Sequence, residues 1–186
     1  GVPKGGEVVG AQRASDFETF LEDNKELFVE RWFDSIVAAY PSEAAKLMKN
    51  EKDPFANPVG SNILEGIKGI YEGLINKSTK DDETLKHIDR VIRIIAIQDF
   101  TPAEAFSLIF LIKKIVRDEV RSKYSNSEIP FESLLDFEAR VDEIALMSLN
   151  VYLECREKLY EIRVTEFKNR YYKLLEKANL VVNQSE

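Results

Sequence analysis

Hydrophobic residues recur at steps of three and four along most of the chain, which is the period of an α-helix. An aromatic-rich stripe predicts a first helix from Ser15 to Tyr40, with Ser15 and Glu18 forming a capping box and Pro41 ending the helix. The pattern predicts further helices over 42–50 and 62–76, and others starting at Asp82, Thr101 and Phe131. No stretch alternates like a strand. The predicted fold class is all-α, a helical bundle with a long C-terminal helix.

Glycine and proline mark the boundaries between these segments, because both are poor residues for a helix interior. Residues 1–14 contain four of the eight glycines and no helical period, so we expect a flexible leader there. Gly66, Gly69 and Gly73 share one stripe of the third predicted helix. Each costs about 1 kcal/mol relative to alanine, which favours a close approach of a neighbouring helix or a ligand.

The segment from Phe131 onward has neither glycine nor proline and predicts one long helix to about Leu180. Such a helix would be roughly 75 Å long, more than the bundle can cover. Its apolar residues fall into two registers, as in a coiled coil with a stutter. We therefore expect residues 147–186 to extend the helix and to form a homodimer through Leu159, Val164, Phe167, Tyr171 and Leu174.

The composition indicates one domain and excludes several classes of partner. The 186 residues carry 33 acidic and 26 basic side chains, for a formal charge of −7. Because the basic residues are scattered, nucleic acid is not an expected partner. The longest apolar stretches are far shorter than the roughly 20 residues of a membrane span. We expect a cytoplasmic protein with no membrane contact.

The sequence contains one cysteine, Cys155, and one histidine, His87. This excludes an internal disulfide, a cysteine-based metal site and most catalytic triads. No nucleophile is accompanied by a base, and no phosphate-binding loop or metal-ligand pattern is present. We therefore predict no catalytic residue, no metal site and no enzyme. Cys155 lies in an apolar register, which favours packing over a redox role.

A ligand site remains as a second hypothesis. His87 is a candidate haem ligand, and Arg90 could bind an anion. Trp32, Phe106 and Phe110 could line a small apolar pocket. The alternatives are ordinary ones: a surface histidine, surface ion pairs of the arginine, and aromatic residues that pack in the core.

Two short motifs carry a resemblance to a known family. One is the loop with Phe55, Asn57, Pro58 and Gly60, and the other contains Gln98, Asp99, Phe100 and Pro102. Together with the first helix they resemble the RsbRD-type N-terminal domain of RsbT co-antagonist proteins, which also precedes histidine kinases. The resemblance covers about 17–146, so we assign this sensory domain to residues 15–146.

The resemblance implies a non-enzymatic regulatory domain of bacterial stress signalling, similar to globin-like domains that contain no haem. Such a domain receives a cue and passes it along a C-terminal helix to an output domain, through a protein partner of the pathway. Two arrangements stay open for this chain. It acts alone as a dimeric adaptor, or it acts with an output domain outside this sequence. The second hypothesis is a sensor that binds haem or another small molecule.

Overall fold

The computed structural model describes residues 5–51, 53–98, 100–125 and 128–178, and these residues form helices and no strand. In this part of the chain there are seven helices: α1 (Gly5–Asp23), α2 (Lys25–Val37), α3 (Ser42–Asn50), α4 (Pro58–Ile75), α5 (Asp82–Ala96), α6 (Pro102–Lys123) and α7 (Phe131–Lys177). The predicted all-α bundle with a long C-terminal helix is confirmed. No helix of this part is both long enough and apolar enough to cross a membrane.

The first predicted helix is wrong in two respects. It begins at Gly5 instead of Ser15, whose carbonyl oxygen accepts a hydrogen bond from Thr19 inside α1. Residues 5–14, expected as part of a flexible leader, are therefore helical, while residues 1–4 lie outside the described part. The stretch also forms two helices, because the helix is interrupted at Asn24. Arg13 pairs with Glu128 at 2.6 Å, a contact that no local pattern could show.

The pair formed by α4 and α5 explains the glycine stripe. A Cβ on Gly66 would lie 2.3 Å from Val91, one on Gly69 2.1 Å from His87, and one on Gly73 2.4 Å from Thr84. All three neighbours lie on α5. The stripe therefore allows the two helices to approach closely, as predicted for a neighbouring helix.

The start of α6 agrees with its sequence. Thr101 caps the helix, Pro102 is in its first turn, and Glu104 completes the capping box. Helix α6 then runs antiparallel to α7, since Lys113 pairs with Asp142 at 2.5 Å, and Arg117, one turn later in α6, pairs with Glu138, one turn earlier in α7. These ion pairs lie at the rim of an apolar contact.

Helix α7 starts at Phe131 as predicted and ends at Lys177, and the predicted extension to Leu180 lies outside the described residues. One face of its first half closes the core, with Phe137, Val141, Ile144, Tyr152 and Cys155 buried. Cys155 is a free thiol in this core. Every residue from Tyr160 to Leu174 is exposed. The second half of α7 therefore has no contact with the core of its own bundle.

Candidate functional site

The predicted ligand residues Trp32, His87, Arg90, Phe106 and Phe110 are not brought together. Trp32 is buried in the core, where its indole N–H donates to the carbonyl of Leu108 at 2.8 Å. The cavity beside it has a volume of about 10 Å³. Pockets for organic ligands usually have several hundred Å³, so this part of the core is filled by its own side chains.

His87 and Arg90 lie on α5 and have separate surroundings. The His87 ring packs against the backbone of Gly69, and its buried Nδ1 has no hydrogen-bond partner among the described residues. Arg90 is exposed and forms an ion pair with Glu65 at 2.9 Å. Since the ring of His87 is in contact with α4 and does not line the Trp32 cavity, these residues do not fit a haem.

Phe106 and Phe110 lie on α6, on the side that meets α7. Phe106 packs edge-on against Tyr152, with ring centroids 5.6 Å apart. Phe110 is 40% exposed, with the ammonium of Lys113 5.4 Å from its ring centroid. These two aromatic residues therefore belong to the contact between α6 and α7 and to its edge. Among the described residues, no group of His, Cys, Asp and Glu is arranged to hold a metal ion.

Asn57 organises the first family motif. Its side-chain amide donates to the carbonyls of Met48 and Glu51, both at 3.0 Å, and its oxygen accepts from the amide of Gly60 at 3.0 Å. Asn57 thus caps α4 and fastens the end of α3 to it. Pro58 occupies the first turn of α4, where its missing N–H costs nothing.

Gly60 leaves the space that this side chain needs. A Cβ on Gly60 would lie 2.5 Å from the Asn57 amide. Phe55, in contrast, is 95% exposed and has no role in packing. The motif therefore contains one residue that the fold does not explain.

The second family motif lies beside the first. Gln98 lines a cavity of about 180 Å³, here named the Tyr40 cavity. Phe100 packs edge-on against Tyr40, with centroids 5.3 Å apart. Asp99 lies outside the described residues. The other lining residues come from the end of α2, from α3 and from the Asn57 loop: Tyr40, Ala44, Leu47, Met48, Ala56, Asn57, Pro58 and Val59.

Tyr40 is 7% exposed, and its buried hydroxyl has no hydrogen-bond partner among the described residues. Burial raises the pKa of Tyr40 to about 12, so the hydroxyl stays neutral. An unpaired buried hydroxyl costs roughly 1–3 kcal/mol. The sequence pattern gave Tyr40 only as the end of a helix, so the reasoning from sequence missed this residue and the cavity.

Helix α7 donates two hydrogen bonds to the same corner of the bundle. The Tyr152 hydroxyl donates to the carbonyl of Phe100 at 3.1 Å, and the Arg156 guanidinium donates to the carbonyl of Ala96 at 3.3 Å. We call this corner, with Ala96, Phe100, Tyr152 and Arg156, the exit end, because the buried part of α7 ends here. The Tyr40 cavity and the start of the exposed half of α7 therefore meet at one end of the bundle.

The exposed face of α7 carries a continuous apolar stripe. Its members follow steps of three and four residues, except between Leu153 and Tyr160, where Arg156 occupies the intermediate position. At 100° per residue they lie about a third of a turn from the residues that face the bundle. We call this the exposed stripe, and its members are between 38% and 70% exposed: Leu146, Leu149, Leu153, Tyr160, Val164, Phe167, Tyr171 and Leu174.

Four of the five residues predicted at a dimer interface lie on this stripe: Val164, Phe167, Tyr171 and Leu174. Phe167 and Tyr171 stack on each other, with centroids 6.3 Å apart. Leu159 differs, because it is half-buried against the core. Leu159 belongs to the register that faces the bundle, and the stripe continues upstream through Leu153 instead.

A wider surface groove, of about 770 Å³, was also missed by the sequence reasoning. Its apolar floor consists of Val29, Phe33 and Leu64, and its rim has five carboxylates and three ammonium groups. Two of the lysines are paired, Lys25 with Glu72 at 2.6 Å and Lys49 with Asp34 at 2.9 Å. The rim is therefore an acidic surface: Glu22, Asp23, Lys25, Glu26, Glu30, Asp34, Lys49 and Lys68.

Comparison with known proteins adds to this geometry. A relative from Archaeoglobus fulgidus, described as an uncharacterized protein, is 26% identical over 139 residues, which cover 74% of this chain and 81% of the relative. No solved structure matches the chain significantly. Residues 26–166 match the model of a family described as the RsbT co-antagonist protein RsbRD N-terminal domain. That range includes both motifs, the Tyr40 cavity, the exit end and the first part of the exposed half of α7. The chain therefore belongs to this family of regulatory domains, which is linked to signalling and its protein partners and is not a known enzyme family.

Proposed function

We propose that the chain is a non-enzymatic sensory module that dimerises through α7 and transmits a cue as a change in helix packing. The exposed stripe carries this proposal. Eight apolar side chains on one helix face, with a period close to that of a coiled coil, form a larger apolar surface than a monomer usually leaves in water.

The partner that fits the stripe most simply is the same helix of a second copy. A two-fold dimer brings each stripe against an identical one, so that apolar residues meet apolar residues along most of the stripe. Full burial of one such side chain contributes roughly 1.5–3 kcal/mol. Most of the stability of a protein helix comes from packing against a neighbour, which the exposed half of α7 lacks within its own bundle. Pairing therefore stabilises the exposed half of α7 as well as the dimer.

The test is the oligomeric state of two variants, compared with the original protein. Phe167→Glu combined with Tyr171→Glu places charges on the stripe and should give a monomer by analytical ultracentrifugation, with the bundle still folded by circular dichroism. Tyr172→Glu is the matched control, since Tyr172 is 53% exposed but points away from the stripe, and it should remain a dimer. A dimer that survives the double substitution would contradict the proposal.

We further propose that the domain acts in the cytoplasm, as part of a stress-response pathway with a protein partner. The buried free thiol of Cys155 is compatible with a reducing compartment. Family membership supports the pathway and the partner.

We also propose that the domain works without haem. The reason is the packing of His87 against Gly69 and the filled core beside Trp32. Addition of haemin to the purified protein should produce no Soret band shifted from that of free haemin. A shifted band that disappears in His87→Ala would reverse this conclusion.

A further inference from the structure

The Tyr40 cavity has the size of a small organic ring. A closed apolar protein cavity of roughly 150 Å³ is sufficient to bind benzene. The Tyr40 cavity has a volume of about 180 Å³ and is open to solvent along Leu47 and Val59, which are 52% and 38% exposed. It lies where the end of α2, α3, the Asn57 loop and Gln98 meet. The cavity is therefore large enough for one compact ligand and too small for a haem or a nucleotide.

The lining determines the chemistry of that ligand. No lining residue carries a charge, and six of the nine are apolar: Ala44, Leu47, Met48, Ala56, Pro58 and Val59. A charged ligand would lose its hydration without gaining a counter-ion. The cavity therefore favours an uncharged molecule with an apolar body.

Two polar groups remain to fix such a molecule. The side chain of Asn57 already makes three hydrogen bonds within the protein. The Tyr40 hydroxyl has no partner among the described residues although Tyr40 is only 7% exposed. Gln98, which is half-buried at the edge of the cavity, provides a second polar side chain. The hydroxyl is itself out of contact with solvent, so a ligand with one hydroxyl or carbonyl group reaches it only when the Tyr40 ring moves, and then supplies the partner that Tyr40 lacks.

We propose that the Tyr40 cavity binds a small uncharged organic molecule, with an aromatic or compact apolar body and one hydrogen-bonding group that pairs with Tyr40. This gives the proposed sensory module a site for its cue. Binding itself does not depend on the dimer, whereas the use of the site as an input rests on the proposed function.

A continuous series of contacts joins the cavity to α7. The Tyr40 ring lies edge-on against Phe100, and the carbonyl of Phe100 accepts the hydrogen bond of Tyr152 on α7. Arg156, one turn further along, bonds to Ala96 at the end of α5. A ligand that moves the Tyr40 ring would therefore act on the corner that holds α7 at the exit end.

Methionine offers a direct readout, because the chain contains two, and Met48 lines the cavity while Met147 lies on α7. Protein with methyl-labelled methionine is titrated by NMR with phenol or with toluene up to about 5 mM, a range suited to the weak affinity of so small a ligand. We expect both compounds to shift the Met48 signal. Absence of any shift would overturn the proposal.

Two variants test the site itself. Tyr40→Phe should weaken phenol binding about threefold to tenfold, the effect of one hydrogen bond, and leave toluene binding unchanged. If Tyr40→Phe weakens the binding of phenol and of toluene equally, the Tyr40 hydroxyl is not the polar contact of the ligand. Ala44→Leu fills the cavity and should abolish the Met48 shift in a protein that remains folded. A shift that persists in Ala44→Leu would show binding elsewhere and overturn the proposal.

The titration is repeated with the Phe167→Glu, Tyr171→Glu variant, which keeps failure of this proposal distinct from failure of the dimer. The Met48 shift is expected in that variant as well, whatever its oligomeric state. Loss of the shift in this variant alone would mean that the cavity forms only in the dimer, and would contradict a site contained within one chain.

Discussion

The side chain of Asn57 makes three hydrogen bonds that hold α3, the loop and α4 together. Because its amide and oxygen serve three backbone groups of α3, the loop and α4, removing it leaves buried carbonyls without donors. Asn57→Ala should lower the free energy of unfolding by about 2–3 kcal/mol, measured by urea denaturation. Asn62→Ala is the control, since Asn62 makes one exposed hydrogen bond to Pro58 and its loss should change stability by less than about 0.5 kcal/mol.

Phe55 lies two residues from Asn57 and should behave in the opposite way. At 95% exposure its side chain contributes nothing to the folded core. Phe55→Ser should therefore leave the free energy of unfolding, measured by urea denaturation, within about 0.5 kcal/mol of the original. A large loss of stability would show that the ring has a packing role in solution. Within this motif Asn57 therefore stabilises the fold, whereas the exposed ring of Phe55 is available to a partner.

At the level of helices, the contact of α4 with α5 depends on Gly69. An alanine there would place its Cβ 2.1 Å from the His87 ring, so the ring or the helix must move. Gly69→Ala should destabilise the fold by about 1–3 kcal/mol, and the loss should be smaller in a His87→Ala background. Gly10→Ala is the control: its Cβ would have no neighbour within 4 Å, and the substitution should stabilise α1 by about 0.5–1 kcal/mol.

The capping box of α6 makes stability depend on pH. Hydrogen bonds from the Thr101 backbone and hydroxyl hold the pKa of Glu104 below its ordinary value of 4.5. A carboxylate with a lowered pKa in the folded state contributes its full stabilisation above pH 4.5, and the contribution disappears as the pH falls through the folded-state pKa. Urea midpoints measured between about pH 5 and pH 3 should therefore fall less steeply in Glu104→Gln.

Thr101→Ala is expected to flatten the same pH dependence, because it removes the hydroxyl that donates a hydrogen bond to the Glu104 carboxylate. The same substitution should also lower the free energy of unfolding by about 1 kcal/mol at neutral pH, because the helix loses its cap. Parallel pH curves for the original protein and Glu104→Gln would contradict the role given to this carboxylate.

The sequence predicts most of the helices because their signals are local. Thr101 with Pro102 marks the start of α6, and the absence of glycine and proline after Phe131 predicts the length of α7. The pattern also shows a longer step between Leu21 and Leu27, where the chain breaks at Asn24. The N-terminal half of α1 was missed because its glycines have low helix propensity, while its contact with Glu128 is made by a distant segment.

The site was less predictable for a physical reason. The pair Asn57 and Pro58 is a recognisable helix start, and its capping role was available from the residue types. The Tyr40 cavity was not, because it exists only where the distant Gln98 meets three segments between residues 40 and 59, and no local pattern shows how these segments pack. Likewise, the period of α7 gives its two apolar registers, whereas the side that faces the bundle depends on α5 and α6. For this reason Leu159 was predicted at the dimer interface, whereas it is half-buried against the core.

At the level of the whole molecule, the exposed half of α7 should report the oligomeric state through its resistance to protease. Trypsin sites at Arg163, Lys168, Arg170 and Lys173 all lie on exposed turns. In a dimer the helix is held by its partner, whereas in a monomer the same segment unfolds locally. We expect the Phe167→Glu, Tyr171→Glu variant to be cut at these sites much faster than the original protein, with the bundle left intact.

Tyr172→Glu provides the comparison here too, and it should be cut at the original rate. Equal cleavage of all three proteins, at a rate independent of protein concentration, would mean that pairing does not protect α7.

The hydrogen bonds of Tyr152 and Arg156 act as a fulcrum for α7. From Arg156 to Lys177 the helix is a lever of roughly 32 Å, and all residues from Tyr160 to Leu174 are exposed. A tilt of about 5° at the fulcrum would displace the far tip by about 3 Å, a little over half the pitch of an α-helix. A rearrangement of a few tenths of an ångström in the corner around Phe100 is thus magnified along the helix. The length of α7 therefore acts as a mechanical gain, which a shorter helix would not provide.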